Sequence, residues 1–426
     1  MLAQASLSLI ILIGLSLPIA AVLISIALGM AFFHSPMPLH VAGSEIFWKV
    51  SNEFTLTSVP LFILLGEILL RAGVAERMYA AVALWLNRLP GGLLHANIAA
   101  STLFSATSGS SVATAATIGT VALPEVRKRG YNERLFLGSL AAGGTLGILI
   151  PPSIHLILYG MMTGTSIPQL YLAATMPGLI LAGLFSVLVL LACLIRPDLG
   201  GERIQATWSQ RFSSLTSIVP ILLLFVVVVG SIYTGFATPT EAASLGLVFA
   251  LILAAFYRKL SVTMLHEAFI GAMRTNAMIM LIVLASYFLN FVLSILGIPQ
   301  QLTTFIAELG LSPVSTMLLI VAFFVILGCF LESLSMLVTM TPLIAPIVVG
   351  LGYDPIWFGV ITIILLEVAL ITPPVGINLY VVQAIRGGGS MSDVMVGALP
   401  FVICMFVLIG LLMVFPQIAM FLPGLF

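Results

Sequence analysis

The sequence predicts an all-α polytopic membrane protein made of two inverted structural repeats, each with a re-entrant helical hairpin and a broken helix. Three observations predict it. Hydrophobic residues make up 61% of the chain and charged residues 7%, with a mean hydropathy of +1.24, whereas a soluble chain carries roughly 25% charged residues. Apolar runs of about 20 residues, the length that crosses a bilayer, recur throughout. Two of these runs are interrupted by Pro-Pro pairs, Pro151-Pro152 and Pro373-Pro374. Consecutive prolines remove backbone donors and clash with the preceding turn. In hydrocarbon, opened backbone persists only where protein or a water-filled cavity satisfies it. Two breaks in corresponding places of two halves therefore point to a solute site of a membrane carrier.

The elements follow in order. A first span over 7–33 leads to a polar loop, 34–40, and a short amphipathic interfacial helix, 44–54. A second span covers 57–70, and 75–89 is again amphipathic. Segment 93–106 is too short to cross and ends in Thr107-Ser108-Gly109-Ser110-Ser111; a second short segment, 112–126, runs to Arg127-Lys128-Arg129-Gly130. Two half-length segments around a Ser/Gly apex read as a hairpin that enters the membrane and returns. The first broken span is 135–159. Spans 167–195, 217–232 and 242–257 follow, with Arg196, Arg203 and Arg211 after the first of them and Arg258-Lys259 after the last. The plan then recurs: an amphipathic piece at 264–274, a span at 277–296 and an amphipathic piece at 299–309. Segments 314–331 and 338–349 flank the apex Glu332-Ser333-Leu334-Ser335, 355–385 is the second broken span, and 394–416 is the last span. The chain's start reads as a membrane helix, since it lacks the basic flank and small-residue cleavage site of a removed signal.

The repeat is one gapless register. A shift of 222 positions (373 minus 151) superposes the Pro-Pro pairs, takes Gly130-Tyr131 to Gly352-Tyr353, Pro124 to Pro346 and Phe136 to Phe358, and takes Ser111 to Ser333 and Thr117 to Thr339. Lys and Arg near span ends mark the cytoplasmic side. In the first half Arg127, Lys128, Arg129 and Arg134 follow the hairpin, whereas the matching Leu351-Gly352-Tyr353-Asp354 has no base and Arg386 comes only after the second broken span. The halves are therefore inverted, with the chain's start in the cytoplasm and its end outside.

The hairpin tips carry the chemistry. A half-helix N-terminus offers free N–H groups and a partial positive charge that suit a carboxylate. The preceding half-helix leaves free carbonyls that suit sodium, a hard cation that prefers oxygen ligands. For an organic anion the candidates are Ser108, Gly109, Ser110 and Ser111 at the first tip and Pro152 and Ser153 at the first break. At the second tip and break they are Ser335, Pro374 and Gly376. For sodium they are Ser108, Ser110, Gly147, Glu332, Ser333, Thr372 and Asn378. Small hydroxyl residues also cap helices and let membrane helices approach, and capping and ligation can coexist. A carboxylate at membrane depth is functional by default; Glu332 either neutralises a cation or locks the hairpin by accepting backbone N–H bonds. Glu67 and Glu367 also lie in apolar runs, and Glu67 can pair with Arg71 one turn on. His155 reads as a cavity-facing polar residue.

Other functions find little support. The formal net charge is zero, which argues against a nucleic-acid partner. Cys193, Cys329 and Cys404 are far apart in apolar runs and read as buried, inert thiols. No P-loop supplies ATP chemistry, no Gly-x-Ser-x-Gly or His-Glu-x-x-His motif is present, and no organic cofactor is expected.

Several motifs in sequence order resemble the large membrane subunit of TRAP transporters (tripartite ATP-independent periplasmic transporters), the DctM-like family. They are Ser105-Ala106-Thr107-Ser108-Gly109-Ser110-Ser111-Val112-Ala113-Thr114, Gly147-Ile148-Leu149-Ile150-Pro151-Pro152-Ser153 and Thr238-Pro239-Thr240-Glu241-Ala242-Ala243. Gly328-Cys329-Phe330-Leu331-Glu332 and Leu370-Ile371-Thr372-Pro373-Pro374-Val375-Gly376-Ile377-Asn378-Leu379 complete the set. The resemblance spans nearly the whole chain and departs at Ser335-Met336, where smaller residues are expected. It implies an elevator-type fold like that of the ion-transporter superfamily, in a bacterial inner membrane. On that plan 1–90 are scaffold helices of the first repeat, 91–163 half of a moving transport domain, 164–310 linking scaffold, 311–388 the other transport half and 389–426 a C-terminal scaffold helix. It further implies a sodium gradient as driving force, a separate small four-helix membrane subunit and a periplasmic substrate-binding protein. The solutes it implies are organic acids such as C4-dicarboxylates, sugar acids or sialic acid.

Overall fold

In the computed structural model residues 17–202, 204 and 206–425 are described, with 4, 7, 8, 11, 12 and 15 before them; the side chains at 127 and 307 are not. Arg203 and part of the first expected span lie outside this set. Every regular element among the described residues is helical. The first half runs α1 (Ile19–His34), α2 (Gly43–Ser51), α3 (Ser58–Arg71), α4 (Val74–Leu86), α5 (Leu93–Ser108), α6 (Ser111–Arg129), α7 (Glu133–Leu149), α8 (Ile154–Thr163) and α9 (Ile167–Ile195). Helix α10 (Trp208–Tyr233) links it to the second half. There follow α11 (Pro239–Phe256), α12 (Val262–Ile295), α13 (Ile298–Glu308), α14 (Pro313–Gly328), α15 (Ser333–Gly350), α16 (Pro355–Ile371), α17 (Ile377–Arg386), α18 (Met391–Val414) and α19 (Gln417–Met420). Among the described residues seven helices are long and apolar enough to cross a bilayer, and α7 with α8, bent by 41°, makes an eighth such segment.

The 222-residue register survives in three dimensions. It takes the start of α6 to the start of α15, both ends of α7 to both ends of α16, the end of α4 to the end of α13 and the end of α1 to the end of α11. The same shift takes residues 4, 7, 8 and 11, helical near the chain's start, to 226, 229, 230 and 233 in the last turns of α10. Contacts at both ends of the broken helices confirm the inversion. Arg386, closing α17, binds Glu133 at the start of α7 at 2.8 Å. At the other end the Tyr159 hydroxyl of α8 donates to the Pro355 carbonyl at the start of α16 at 2.7 Å.

Two segments depart from the sequence reading. The expected amphipathic piece and span at 264–296 are one 34-residue helix, α12, because no proline or glycine pair interrupts it. The second apex is almost entirely helix: α15 begins at Ser333, directly after its cap Glu332.

The core is built from the broken helices. Every residue of α7 from Phe136 to Leu149 is buried, as is every residue of α16 from Trp357 to Ile371. Helices α9 and α18 lie along both. Gly138 of α7 and Gly397 of α18 face each other so closely that a Cβ on either would overlap the other backbone. The outer helices instead keep large apolar side chains on the surface, Leu222, Val226, Val248 and Ile252 among them, as lipid-facing helices do.

Positive charge collects at one end. Arg77 lies over the Tyr257 ring and Arg88 over Trp208, at 4.6 and 4.3 Å. The loop after α9 binds that after α6, Glu202 donating to the Arg129 carbonyl at 2.7 Å. Arg134 and Arg386 share Asp393. Hairpin α5/α6 starts and finishes at this end.

Candidate functional site

The first tip is closed by backbone. Helix α5 ends at Ser108, Gly109 takes φ +59, and Ser110 opens α6 by accepting from the Ala113 N–H at 3.4 Å. A left-handed turn of this kind suits glycine, and here it has a second reason: a Cβ on Gly109 would stand 3.0 Å from the Pro152 carbonyl. Gly147 of α7 makes the same allowance, its missing Cβ being 2.6 Å from the Ser110 carbonyl. Tip and break are thus in backbone contact. Three oxygens crowd together at this tip. The Ser108 Oγ and Thr114 Oγ1 are 2.8 Å apart, and the Ser110 carbonyl accepts from Thr114 at 2.8 Å and from Ser108 at 3.4 Å. At the break Ser153 donates to the Ile148 carbonyl at 2.5 Å and caps α8 by accepting from the Leu156 N–H at 3.4 Å.

The second tip uses charge. Glu332 caps α15, one carboxylate oxygen accepting from the Ser335 N–H at 3.1 Å and its hydroxyl at 3.3 Å, the other from the Ser333 hydroxyl at 3.0 Å. Of its two expected roles, locking the hairpin is the one the bonds display. Met336 is fully buried at this tip, and Gly328 makes its close approach to Ala369 of α16, where a Cβ would stand 2.5 Å from the alanine methyl. The second break lies in the open: Pro373 and Pro374 are exposed, whereas Pro151, Pro152 and Ser153 are buried. Thr372 returns its hydroxyl to the Val368 carbonyl at 2.6 Å. Gly376 precedes α17 at φ +33. Asn378 donates to the Ala141 carbonyl of α7 at 3.3 Å, leaving its buried Oδ1 without a partner. Cys329, half-buried rather than buried as the sequence suggests, donates to the Pro373 carbonyl at 3.5 Å; Cys404 is half-buried too.

Both tips meet at one cavity of about 400 Å³. Ser108, Gly109, Ser110 and Ser111 line it from one side and Glu332, Ser333 and Leu334 from the other, with Ile154 and His155 between. The opposing wall is α3 and α12, through Ile63, Gly66, Glu67, Thr275 and Met278. Gly66 permits this approach, a Cβ there lying 3.4 Å from the Ser108 Cα. From the tips the wall follows α6 through Ala113, Ala116 and Thr117 toward the basic end. Gly147, Pro152, Ser153, Ser335, Thr372, Pro374, Gly376 and Asn378 stand behind this lining. Gly147, Pro152 and Ser335 support the tips, while Thr372 and Asn378 bond elsewhere and do not join Glu332.

The cavity's charges are already engaged. Arg71 pairs with Glu67 and reaches Glu267 at 3.7 Å. Glu332 is occupied by its capping bonds. Glu367, by contrast, is fully buried in α16 with both oxygens unpartnered. His155 faces the cavity as expected, its Nε2 3.2 Å from the Ser333 Oγ, and its Nδ1 meets no carboxylate among the described residues. A hydrolytic triad needs that orienting acid on the imidazole. Sequence reasoning missed Thr114, Thr117 and the α3/α12 wall. Thr114 was legible as the hydroxyl one turn after Ser110; the wall was not, since nothing in sequence spacing brings residue 66 to residue 108.

Two tips around one cavity, in halves related by one register and packed with their broken helices antiparallel, define the class: a membrane transport protein of the broken-helix, paired-hairpin type. The chain belongs to the family described as the tripartite ATP-independent periplasmic transporter, DctM component, whose pattern it matches over residues 6–418. It is 32% identical over 411 residues to the sialic acid TRAP transporter large permease protein SiaM of Vibrio cholerae, covering 96% of this chain and 95% of that protein. It is 33% identical over 391 residues to the C4-dicarboxylate TRAP transporter large permease protein DctM of Pseudomonas aeruginosa, covering 92% of this chain and 91% of that protein. The fold is also that of solved transporters of low sequence identity. The Alcanivorax borkumensis YdaH transporter superposes with a TM-score of 0.62 at 15% identity over 89% of each chain. MtrF of Neisseria gonorrhoeae superposes with a TM-score of 0.56 at 13% identity over 94% of each chain.

Proposed function

We propose that this chain imports an organic anion across a bacterial inner membrane by sodium-coupled secondary transport. In this reading a periplasmic binding protein delivers the solute and a separate small membrane subunit braces the scaffold. The observation that carries it is the cavity between the two tips, where two half-helix N-termini, opening at Ser111 and Ser333, converge on one space. The α6 terminus, capped by the neutral Ser110, supplies positive partial charge to an anion without a basic side chain, whereas the carboxylate of Glu332 already occupies the α15 terminus. The relatives named for sialic acid and C4-dicarboxylates support a carboxylate as solute.

Sodium is a cargo of this cycle. Neutral oxygens suit it, and the Ser108 Oγ, Ser110 carbonyl and Thr114 Oγ1 form such a group beside Gly147. A second ion falls to the second half, where Asn378 keeps a buried free oxygen apart from Glu332. The moving body comprises the two hairpins and broken helices. In place of the scaffold role expected for 389–426 and the start of 164–310, this reading puts α18 and the adjoining α9 on the moving body, because α18 meets α7 glycine to glycine. The cavity's extension along α6 toward the basic end corresponds to a conformer open to the cytoplasm.

Reconstitution in proteoliposomes tests this. Uptake of a carboxylate should require an inward sodium gradient, the binding protein and the small subunit. Uptake of free solute without sodium or the binding protein would instead make this a stand-alone carrier.

A further inference from the structure

One side-chain hydrogen bond ties the second tip to α8 of the first half, and its polarity can be read. The Ser333 hydroxyl donates to the Glu332 Oε1 at 3.0 Å. Its single hydrogen being committed, Ser333 Oγ receives the His155 contact as an acceptor, so His155 Nε2 at 3.2 Å is the donor. That tautomer leaves Nδ1 without a hydrogen, in keeping with its having no acceptor to satisfy among the described residues. The result is a directed chain from His155 through Ser333 to Glu332, all three lining the cavity. It joins α8 of the first half to the cap of α15 in the second. The first tip has no such device, being seated on its break by backbone contacts at Gly109 and Gly147.

We propose that His155 is a positioning residue: it latches the second tip over the cavity and fixes the Glu332 carboxylate, so that tip opening in each transport cycle breaks the His155–Ser333 bond. This rests on the transport reading above. It predicts that the latch tunes tip opening, and with it apparent solute affinity, more than it tunes turnover.

The test uses the full chain with its three cysteines replaced and Leu334→Cys as reporter, since Leu334 is 7% exposed at this tip. In detergent, His155→Leu should raise the rate of maleimide labelling at position 334 by about fivefold, the factor that one ordinary buried hydrogen bond is worth in an equilibrium. Ser333→Ala should match it, and combining the two should add nothing. His155→Gln, whose amide can still donate, should restore slow labelling. In proteoliposomes His155→Leu should raise KM and leave kcat within about twofold of its starting value, the split expected when affinity alone changes. Labelling unchanged by His155→Leu, or rates equally raised in the Gln variant, would overturn the latch. The labelling arm needs no solute, so a protein that fails to transport yet shows this pattern would refute the transport reading and keep the latch.

Discussion

The two halves share a register and differ in how each tip is held. In the first half, tip and break are in backbone contact and buried, seated by Gly109 against Pro152 and by Gly147 against Ser110, with serines as caps. In the second half the break is exposed, the cap is the carboxylate of Glu332, and the tip is tied to its surroundings by hydrogen bonds. Close-packed backbone tolerates little displacement, whereas a few polar bonds can be exchanged at modest net cost. The same register thus carries two tips held in different ways, the first by close backbone packing and the second by exchangeable polar bonds.

Perturbing that contrast should give effects in a definite order. Gly147→Val should be the most damaging. Its Cβ would stand 2.6 Å from the Ser110 carbonyl oxygen and 2.9 Å from the Ser111 nitrogen, so a rigid peptide rather than a side chain must shift, and the cost exceeds that of ordinary overpacking, about 1–3 kcal/mol. Uptake should be lost and the melting temperature should fall. The counterpart Ala369→Gly should cost no more than about 1 kcal/mol, the penalty for glycine inside a helix. Equal damage at both positions would break the comparison.

Glu332→Ala should come next. It leaves the Ser335 N–H without its charged acceptor, a bond worth about 1.5–3 kcal/mol, while the Ser333 and Ser335 hydroxyls can rotate to other partners. Ser110→Ala removes one neutral cap worth about 1 kcal/mol. Thermal unfolding of the two variants should therefore separate clearly, with the glutamate variant lower. Gly376→Ala should be milder. Its φ of +33 disfavours a Cβ by about 1–2 kcal/mol, although the nearest obstacle, Leu379 Cδ1, is the movable end of a side chain. Arg134→Ala at the basic end should leave the melting temperature unchanged at moderate salt, since its pair with Asp393 is solvent-exposed and screened.

Much of this was legible in the sequence because prolines and register are strong signals. Pro151-Pro152 and Pro373-Pro374 fixed both breaks, and the 222-residue shift fixed which residues correspond. Charge near the span ends fixed the inversion that Arg386–Glu133 and Tyr159–Pro355 display. What stayed hidden depends on helices far apart in sequence. Spacing cannot say that Gly66 lies against Ser108, that Asn378 turns to Ala141, or that His155 reaches Ser333. Glu332 sat between these cases. Its importance followed from the cost of a charge at membrane depth, and its role as a cap emerged only from its bonds.

The most direct test of the central claim, one solute site between the two tips, is cysteine protection at Val112. This residue is 38% exposed and lines the cavity at the start of α6. In the cysteine-free background, Val112→Cys should be labelled readily by a maleimide. Sodium together with the transported carboxylate at about four times its Kd should slow that labelling about fivefold, the factor 1 + [L]/Kd by which a bound ligand protects, and potassium with the same carboxylate should not. A labelling rate indifferent to sodium and solute would contradict a shared site between the tips.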